Sequence, residues 1–249
     1  MTGWVCLCIV PIVRYRISRF TRHRLRCFLS KPFRRSSMPS ARPAHPIRLY
    51  RAALSGHAHR VQLFLSLLDL PFEMIDIDLR AGEQKKPEFL AKNPFGQVPV
   101  IEDGEVTLAD SNAILVYLAS KYGDVGWLPR DPLGAATVQR FLSLAAGEIF
   151  RGPASARLAT LFGMPLDHGA ACATAKHLFT LLEPHLASRQ FLTGTQVTIA
   201  DVAAYSYIAH APEGGVTLDD YPHIRAWLGR VEALAGFVAM QATPPALAA

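Results

Sequence analysis

The chain has 249 residues, half of them hydrophobic, which is long enough for one large domain or two modest domains with packed cores. Its formal net charge is +6, but residues 1–46 hold ten basic side chains and no acidic ones, so the rest carries 26 − 10 = 16 basic against 20 acidic residues, a net charge of −4. This distribution argues against a nucleic-acid-binding domain, and no apolar run approaches the roughly 18 residues that a membrane-spanning helix needs.

Residues 1–46 form a basic tail that we set apart from the fold. The tail is rich in Arg and Ser and lacks acids, as transit peptides do, but its apolar stretch precedes the basic residues, the reverse of a secretory signal. Met38 offers an alternative start just before the first strand-like run. A mis-assigned start codon and a targeting or membrane-surface segment both remain open for this tail.

Cysteine usage favours a reducing compartment. Cys6, Cys8 and Cys27 lie in the basic tail and only Cys172 lies in the body of the chain. This spacing provides neither a disulfide framework nor a zinc site. We therefore expect a cytoplasmic protein without a metal.

The first organised segment predicts a β-α-β unit. Residues 47–50 form a short strand candidate, and residues 55–70 show the apolar spacing of a helix that ends before Pro71. Residues 71–79 alternate acidic and apolar side chains in a way that predicts a second strand.

A polar stretch, residues 80–96, separates this unit from a predicted hairpin and helix. Two apolar runs flank Asp103-Gly104, and Asp-Gly between such runs is a strong hairpin signal. A helix is predicted over residues 110–123, with Asp110 and Ser111 at its start and Gly123 at its end.

The second half predicts helices only. Thr198 and Asp201 have the spacing of a capping box, and the Gly- and Pro-rich residues 123–132 form a linker between the halves. The predicted helices cover residues 132–162, 167–187, 198–210 and 221–237.

Pro99 lies in the run Gly-Gln-Val-Pro-Val, between two valines of a strand-like segment. Proline has no N–H for a sheet ladder, so by itself it predicts an edge strand or a strand start.

Three motifs in order carry a resemblance to a known family. They are NPFGQVPV, then ADSNAILVYLA about ten residues later, then FLTGTQVTIADVAAYSYI in the helical half. With this succession the chain resembles the cytosolic glutathione S-transferases, over about residues 47–240, and in particular a bacterial-type, theta-like serine class. The resemblance implies a thioredoxin-like α/β domain over residues 47–123, an all-α domain over residues 130–240, and a homodimer.

The resemblance also implies a glutathione site. It predicts a cis peptide bond before Pro99, which leaves the backbone of Val98 free to pair with an extended tripeptide. It places Asp110 and Ser111 at the γ-glutamyl group, although Asp is shorter than the more usual Glu, and by themselves both residues are also good helix caps. It places Gln84 and Gln97 near the glycyl carboxylate, where Lys85 or Lys86 are alternatives to Gln84.

Ser55, between the first strand and the first helix, is the candidate catalytic residue that the resemblance implies. A thiol is only a few per cent ionised at neutral pH, and a hydroxyl donor at a helix N-terminus stabilises its anion. The local alternative is a plain N-cap serine. Tyr50 lies too early in the strand for a catalytic tyrosine. His57 and His59 are expected to be imidazoles of the loop or the helix start, and a position of His57 at the border of the sulfur site is the alternative.

The electrophile pocket is expected on the first helix of the helical half. Phe141, Leu144 and Ala145 share one helix face, and Arg151 or Arg157 are candidates for contact with an anionic co-substrate; ordinary core packing is the alternative for each.

The sequence therefore favours a glutathione transferase that conjugates the glutathione thiolate to a small hydrophobic electrophile. A glutathione-dependent isomerase, a lyase or peroxidase, and a non-catalytic binding protein of the same fold remain alternatives.

Overall fold

The structure is a computed structural model that describes residues 42–243. Most of the basic tail, residues 1–41, and the predictions made for it therefore lie outside the described residues. Among the helices of residues 42–243, none combines the length and the apolar character needed to cross a membrane.

A four-stranded mixed sheet organises the first half of the described chain. Strand β1 (Ile47–Arg51) runs parallel to β2 (Phe72–Asp76) and antiparallel to β3 (Val100–Asp103), which pairs with β4 (Val106–Ala109) in the order β2-β1-β3-β4. The Asp-Gly signal marks the β3-β4 hairpin as predicted. The β-α-β unit and the hairpin are both confirmed.

Three helices accompany the sheet, namely α1 (Gly56–Leu67), α2 (Pro87–Leu90) and α3 (Ser111–Lys121). Helix α2 lies inside the stretch predicted only as a polar separator. Strand β2 ends three residues earlier than predicted, because the Asp78 carboxylate accepts hydrogen bonds from the two backbone N–H groups of Arg80 and Ala81 and turns the chain.

The second half is helical, as predicted. Helix α7 is buried along its length at the centre, and its start is the predicted capping box, with Thr198 and Asp201 in reciprocal contact. The Asp201 carboxylate also accepts from Trp227 Nε1 at 2.9 Å, which ties α7 to α8. The helices are α4 (Pro132–Ala146), α5 (Ser155–Phe162), α6 (His168–Ala187), α7 (Ile199–Ala209) and α8 (Pro222–Glu232).

The prediction of one helical stretch over residues 132–162 is wrong. Gly147 and Gly152 have non-helical backbone angles, and a single π-type turn containing Pro153 separates α4 from α5. Gly152 is required by close packing, since a Cβ at this position would lie 2.9 Å from the backbone nitrogen of Ala175. The break redirects the chain before α5 begins.

Helix α1 joins the two halves. The ring of Tyr207 on α7 packs against Gly56, where a Cβ would lie 2.7 Å from the ring. His59, which is buried, makes hydrogen bonds to Ser206 Oγ at 2.8 Å and to the Val238 carbonyl at 2.9 Å. The start of α1 is therefore held by the helical half as well as by β1.

Candidate active site

One large cleft lies between the sheet and the helical half, with a volume of about 1470 Å³. The structure brings together at this cleft all the residues predicted for catalysis or glutathione binding, which are Ser55, Gln84, Gln97, Val98, Pro99, Asp110 and Ser111.

Ser55 is the N-cap of α1. Its backbone is extended, and its Oγ accepts a hydrogen bond from the N–H of Ala58 at 3.3 Å. A hydroxyl that accepts at a cap keeps its own proton, so Ser55 can still donate to an anion in the cleft. The capping and the catalytic interpretations of Ser55 are thus compatible.

The Val98–Pro99 peptide bond is cis, as predicted. The N–H and C=O groups of Val98 form no hydrogen bond with any residue from 42 to 243. The preceding loop is held by Asn93, whose amide donates to the Gln97 carbonyl at 2.8 Å and accepts from the N–H of Phe95 at 3.1 Å. Val98 therefore presents a free backbone edge to the cleft, of the kind to which an extended peptide pairs.

Helix α3 presents its N-terminus to the same cleft. Asp110 caps it by accepting from the N–H of Ala113 at 2.8 Å, with a φ of 70° that Asp tolerates better than most residues. Ser111 is buried, and its Oγ accepts from Arg60 Nη1 at 3.1 Å. The hydroxyl proton of Ser111 remains for another acceptor.

Arg60 is a functional candidate that the sequence analysis missed. The side chain is fully buried, and it donates to Ser111 Oγ and to Asn112 Oδ1 at 2.9 Å, whereas Nε and Nη2 have no partner among the described residues. Burial lowers the pKa of the guanidinium to about 10, so it stays charged at neutral pH. The available signal was a cation on the apolar face of α1, five residues after Ser55.

The side chains of the two glutamines at the cleft differ in how strongly they are held. The Gln84 amide nitrogen donates to the Leu79 carbonyl at 3.3 Å, and its Oε1 is buried with no hydrogen-bond partner within residues 42–243. Gln97 is exposed at the rim of the cleft. Lys86 forms an ion pair with Glu83 at 3.2 Å.

His57 and Tyr207 line the cleft beside Ser55. The two rings pack edge to face with centroids 5.0 Å apart, and His57 Nδ1 lies 3.4 Å from Ser111 Oγ. Burial, and then the charge of Arg60, lowers the pKa of His57 to about 3. The imidazole is therefore neutral at physiological pH.

The apolar side of the cleft differs from the predicted electrophile pocket. Phe141 is buried in the core with its ring against His185, and neither Phe141 nor Leu144 is among the described residues that line the cleft. The same holds for Ala145. The wall consists instead of Phe150, Leu158, Phe162 and Met164. These residues reach the cleft because the helix is interrupted after α4. The helical periodicity of the sequence did not predict this interruption.

The two arginines predicted to meet an anionic co-substrate are both engaged elsewhere. Arg151 is exposed and pairs with Glu148 at 2.6 Å. Arg157 is fully buried and pairs with Glu213 at 2.6 Å. The structure therefore brings neither guanidinium to the apolar wall.

A thioredoxin-like sheet followed by a helical half, with a cleft between them, defines the class of protein, and comparisons with known proteins identify the family. The model of the glutathione S-transferase N-terminal domain matches residues 45–120, and that of the C-terminal domain matches residues 170–235. The chain belongs to the glutathione S-transferase family.

Similar proteins come from plants, bacteria and insects. Glutathione S-transferase 3 of Zea mays is 36% identical, with 81% of this chain and 95% of that protein covered. The crystal structure of a glutathione S-transferase from Pseudomonas fluorescens is 31% identical and matches with a TM-score of 0.74 over 80% of this chain and all of that chain. A glutathione transferase homolog from Drosophila mojavensis, with bound glutathione, is 32% identical and matches with a TM-score of 0.69 over 76% of this chain and 88% of that chain.

Proposed function

We propose that this protein is a glutathione transferase that conjugates the thiolate of glutathione to a small, neutral, hydrophobic electrophile. The observation that carries the proposal is one cleft that is lined by the free backbone edge of Val98 and by two helix N-termini, at Ser55 and at Ser111. The named relatives and the glutathione-bound neighbour support the same substrate.

Each part of glutathione has a partner in this proposal. The backbone of Val98 pairs with the cysteinyl residue, and the Ser55 hydroxyl donates to its thiolate. Ser111 and Asp110 receive the γ-glutamyl group, whose α-carboxylate lies near the buried charge of Arg60. Gln84 and Gln97 receive the glycyl end.

The electrophile occupies the apolar side of the cleft. Phe150, Leu158, Phe162 and Met164 supply aromatic, aliphatic and thioether contacts and no charge, which favours a neutral substrate. This set replaces Phe141 and Leu144 in our proposal.

The family membership is the basis for our proposal on the assembly and the biological setting. We assign residues 47–123 to the glutathione-binding domain and residues 130–240 to the helical domain, and we propose a cytoplasmic homodimer with a role in detoxification. Gel filtration or solution scattering tests the dimer, and a monomer would contradict that part.

The test of the proposed function is retention on glutathione-agarose together with conjugation of an aryl halide. We expect the wild type to bind and to turn over. Ser55→Ala should lower kcat about 10- to 100-fold, as expected for loss of one hydrogen bond to a charged group, while the protein still binds the column.

Asp131→Ala is the matched control, because Asp131 caps α4 through the N–H of Gly134 and does not line the cleft. It should lose stability as Ser55→Ala does, by about 0.5–2 kcal/mol, and keep its turnover. Retention without turnover by the wild type would favour a binding protein, and no retention would refute the proposal.

A further inference from the structure

Arg157 connects the helical half to the residue before Ser55. The side chain belongs to α5 and is fully buried. Its Nε donates to Glu213 Oε2 at 2.6 Å, and its Nη1 donates to the backbone carbonyl of Leu54 at 2.8 Å. A guanidinium from the second half of the chain thus reaches the turn that presents Ser55.

The contact fixes one peptide group at both ends. The carbonyl of Leu54 and the N–H of Ser55 belong to the same planar unit. The carbonyl accepts from Arg157, and the N–H donates to the Ala52 carbonyl at 3.0 Å. With this plane held on both sides the Cα of Ser55 is placed, and the hydrogen bond that its Oγ accepts from the N–H of Ala58 then orients the side chain.

Glu213 in turn holds Arg157. The second carboxylate oxygen of Glu213 lies 2.7 Å from His210 Nδ1 and accepts from the N–H of Thr243 at 3.1 Å. Burial by itself would raise the pKa of Glu213, but the hydrogen bonds from His210, Arg157 and Thr243 lower it below the usual value. The planar fork of Arg157 can satisfy the Glu213 carboxylate and the Leu54 carbonyl together, which a lysine ammonium at the same position cannot do with equal geometry.

We propose that Arg157 is a positioning residue for Ser55, which orients the serine hydroxyl toward the glutathione thiolate through the Leu54 carbonyl. The inference rests on the proposed function. It assigns to the helical half a role in thiol activation, in addition to the binding of the electrophile.

The test is Arg157→Lys, measured as kcat/KM for the electrophile at saturating glutathione from pH 5.5 to 9. If Ser55 is misoriented, the kinetic pKa of the bound thiol should rise by about one unit, and kcat/KM at pH 6.5 should fall about tenfold with recovery at pH 9. The dissociation constant of glutathione should change less than about twofold, because the contacts along Val98 and α3 remain.

Other ionisable groups near the site do not obscure this profile. The pKa of His57 is about 3, and burial raises the pKa of Tyr207 above its usual value, so neither group titrates between pH 5.5 and 9. Asp110, across the cleft, and His210 and Glu213, behind Arg157, are present in both the wild type and the variant.

A double variant separates positioning from a general structural effect. In the Ser55→Ala background, Arg157→Lys should cause no further shift of the kinetic pKa, because the group through which it acts is gone. Arg230→Lys is the matched control, since Arg230 also donates to a backbone carbonyl, that of Gln190 at 2.7 Å, but within the helical half; its profile should equal that of the wild type.

Two results would overturn the inference while the proposed function stands. One is an equal loss of kcat/KM at every pH with an unchanged kinetic pKa, and the other is an additive loss in the double variant. If Arg157→Lys does not fold, Glu213→Gln replaces it, and the same shift in a smaller amount is expected; no shift there also overturns the inference. A wild type that does not bind glutathione would refute both proposals.

Discussion

Two arginines, Arg60 and Arg157, are fully buried, and they differ in whether a carboxylate forms an ion pair with the guanidinium. Arg157 has a carboxylate partner, Glu213, at 2.6 Å. Arg60 donates only to the neutral oxygens of Ser111 and Asn112, and none of its described hydrogen-bond partners is a carboxylate. Within the part of the chain that the structure describes, both guanidinium groups have nitrogen atoms without a partner, but only one of the two forms an ion pair.

The difference suggests separate roles: the charge of Arg157 stabilises the fold through its ion pair, and we propose that the charge of Arg60 binds an anionic group of the ligand. A buried cation without an ion-pair partner has lost its hydration without a fully matching attraction. Burial lowers the pKa of Arg60, and the interactions with Tyr207 and Asp110 offset this only in part. Arg60 lies directly behind Ser111, at the N-terminus of α3, where the helix dipole also favours an anion. The comparison therefore supports our placing of the glutathione α-carboxylate there, with Arg157 as the structural counterpart.

The largest expected effect is a contrast in stability. Arg157→Met leaves the half-buried Glu213 carboxylate without its guanidinium partner and should lower the free energy of unfolding by about 3 kcal/mol. Arg60→Met removes a charge that has no ion-pair partner among the described residues and should change it by less than about 1 kcal/mol, because the loss of two hydrogen bonds and of the attraction to Asp110 is offset by the lost desolvation penalty. Urea unfolding of the ligand-free proteins measures both values.

Equal destabilisation by the two substitutions would contradict the distinction between the two arginines. The double variant Arg157→Met with Glu213→Leu is the control, since it removes both members of the ion pair. It should recover part of the stability that Arg157→Met loses.

The sequence predicted the helices and strands and the free backbone edge at Val98, because both depend on signals from neighbouring residues. The Asp103-Gly104 hairpin, the Thr198 capping box and the motif around Pro99 are each set by neighbouring residues. The partners of Arg60 and Arg157 could not be predicted in this way, since Ser111 lies 51 residues from Arg60 and Glu213 lies 56 residues from Arg157.

The apolar residues that line the cleft were not predicted, for a related reason. A helical period extended through residues 147–154 places Phe141 and Leu144 on one face, but it does not indicate which residues face the cleft. The packing of Gly152 against α6 breaks the helix and brings Phe150 to the cleft instead. Such a break depends on contact with a distant segment, which local periodicity does not record.

The second prediction concerns the affinity for glutathione, whose α-carboxylate we place near Arg60. Arg60→Met should weaken glutathione binding about 10- to 100-fold, the equivalent of one charge-assisted interaction, whereas Arg60→Lys should weaken it less. Isothermal titration with glutathione and with an analogue that lacks the γ-glutamyl α-carboxylate assigns the loss. The wild type should prefer glutathione, and Arg60→Met should bind both ligands with similar affinity; an equal loss for both ligands would place the carboxylate elsewhere.

The smallest expected effect is on His57, which borders the unneutralised charge. Burial is the main cause of its lowered pKa of about 3, and the charge of Arg60 is the second. Arg60→Met should therefore raise the pKa of His57, although burial keeps it below the ordinary value of 6.5. NMR titration of the ring protons measures the shift.

His59 provides an internal control for this shift. Burial also lowers its pKa, to about 4, but Arg60 is the last of its causes, so the shift at His59 should be smaller. The folded-state pKa of both histidines lies below the unfolded value, so the unfolded state binds more protons below pH 6.5. The stability that comes from burying the neutral imidazoles is therefore lost as the pH falls from 6.5 toward the folded-state pKa values. Raising the pKa of His57 narrows that window from below, so Arg60→Met should lose less stability than the wild type as the pH approaches about 3, the folded-state pKa of His57 in the wild type. Equal shifts at both histidines would mean that a general change of structure causes them, and no shift at His57 would mean that the charge of Arg60 is already neutralised in the ligand-free protein, contrary to the comparison of the two arginines.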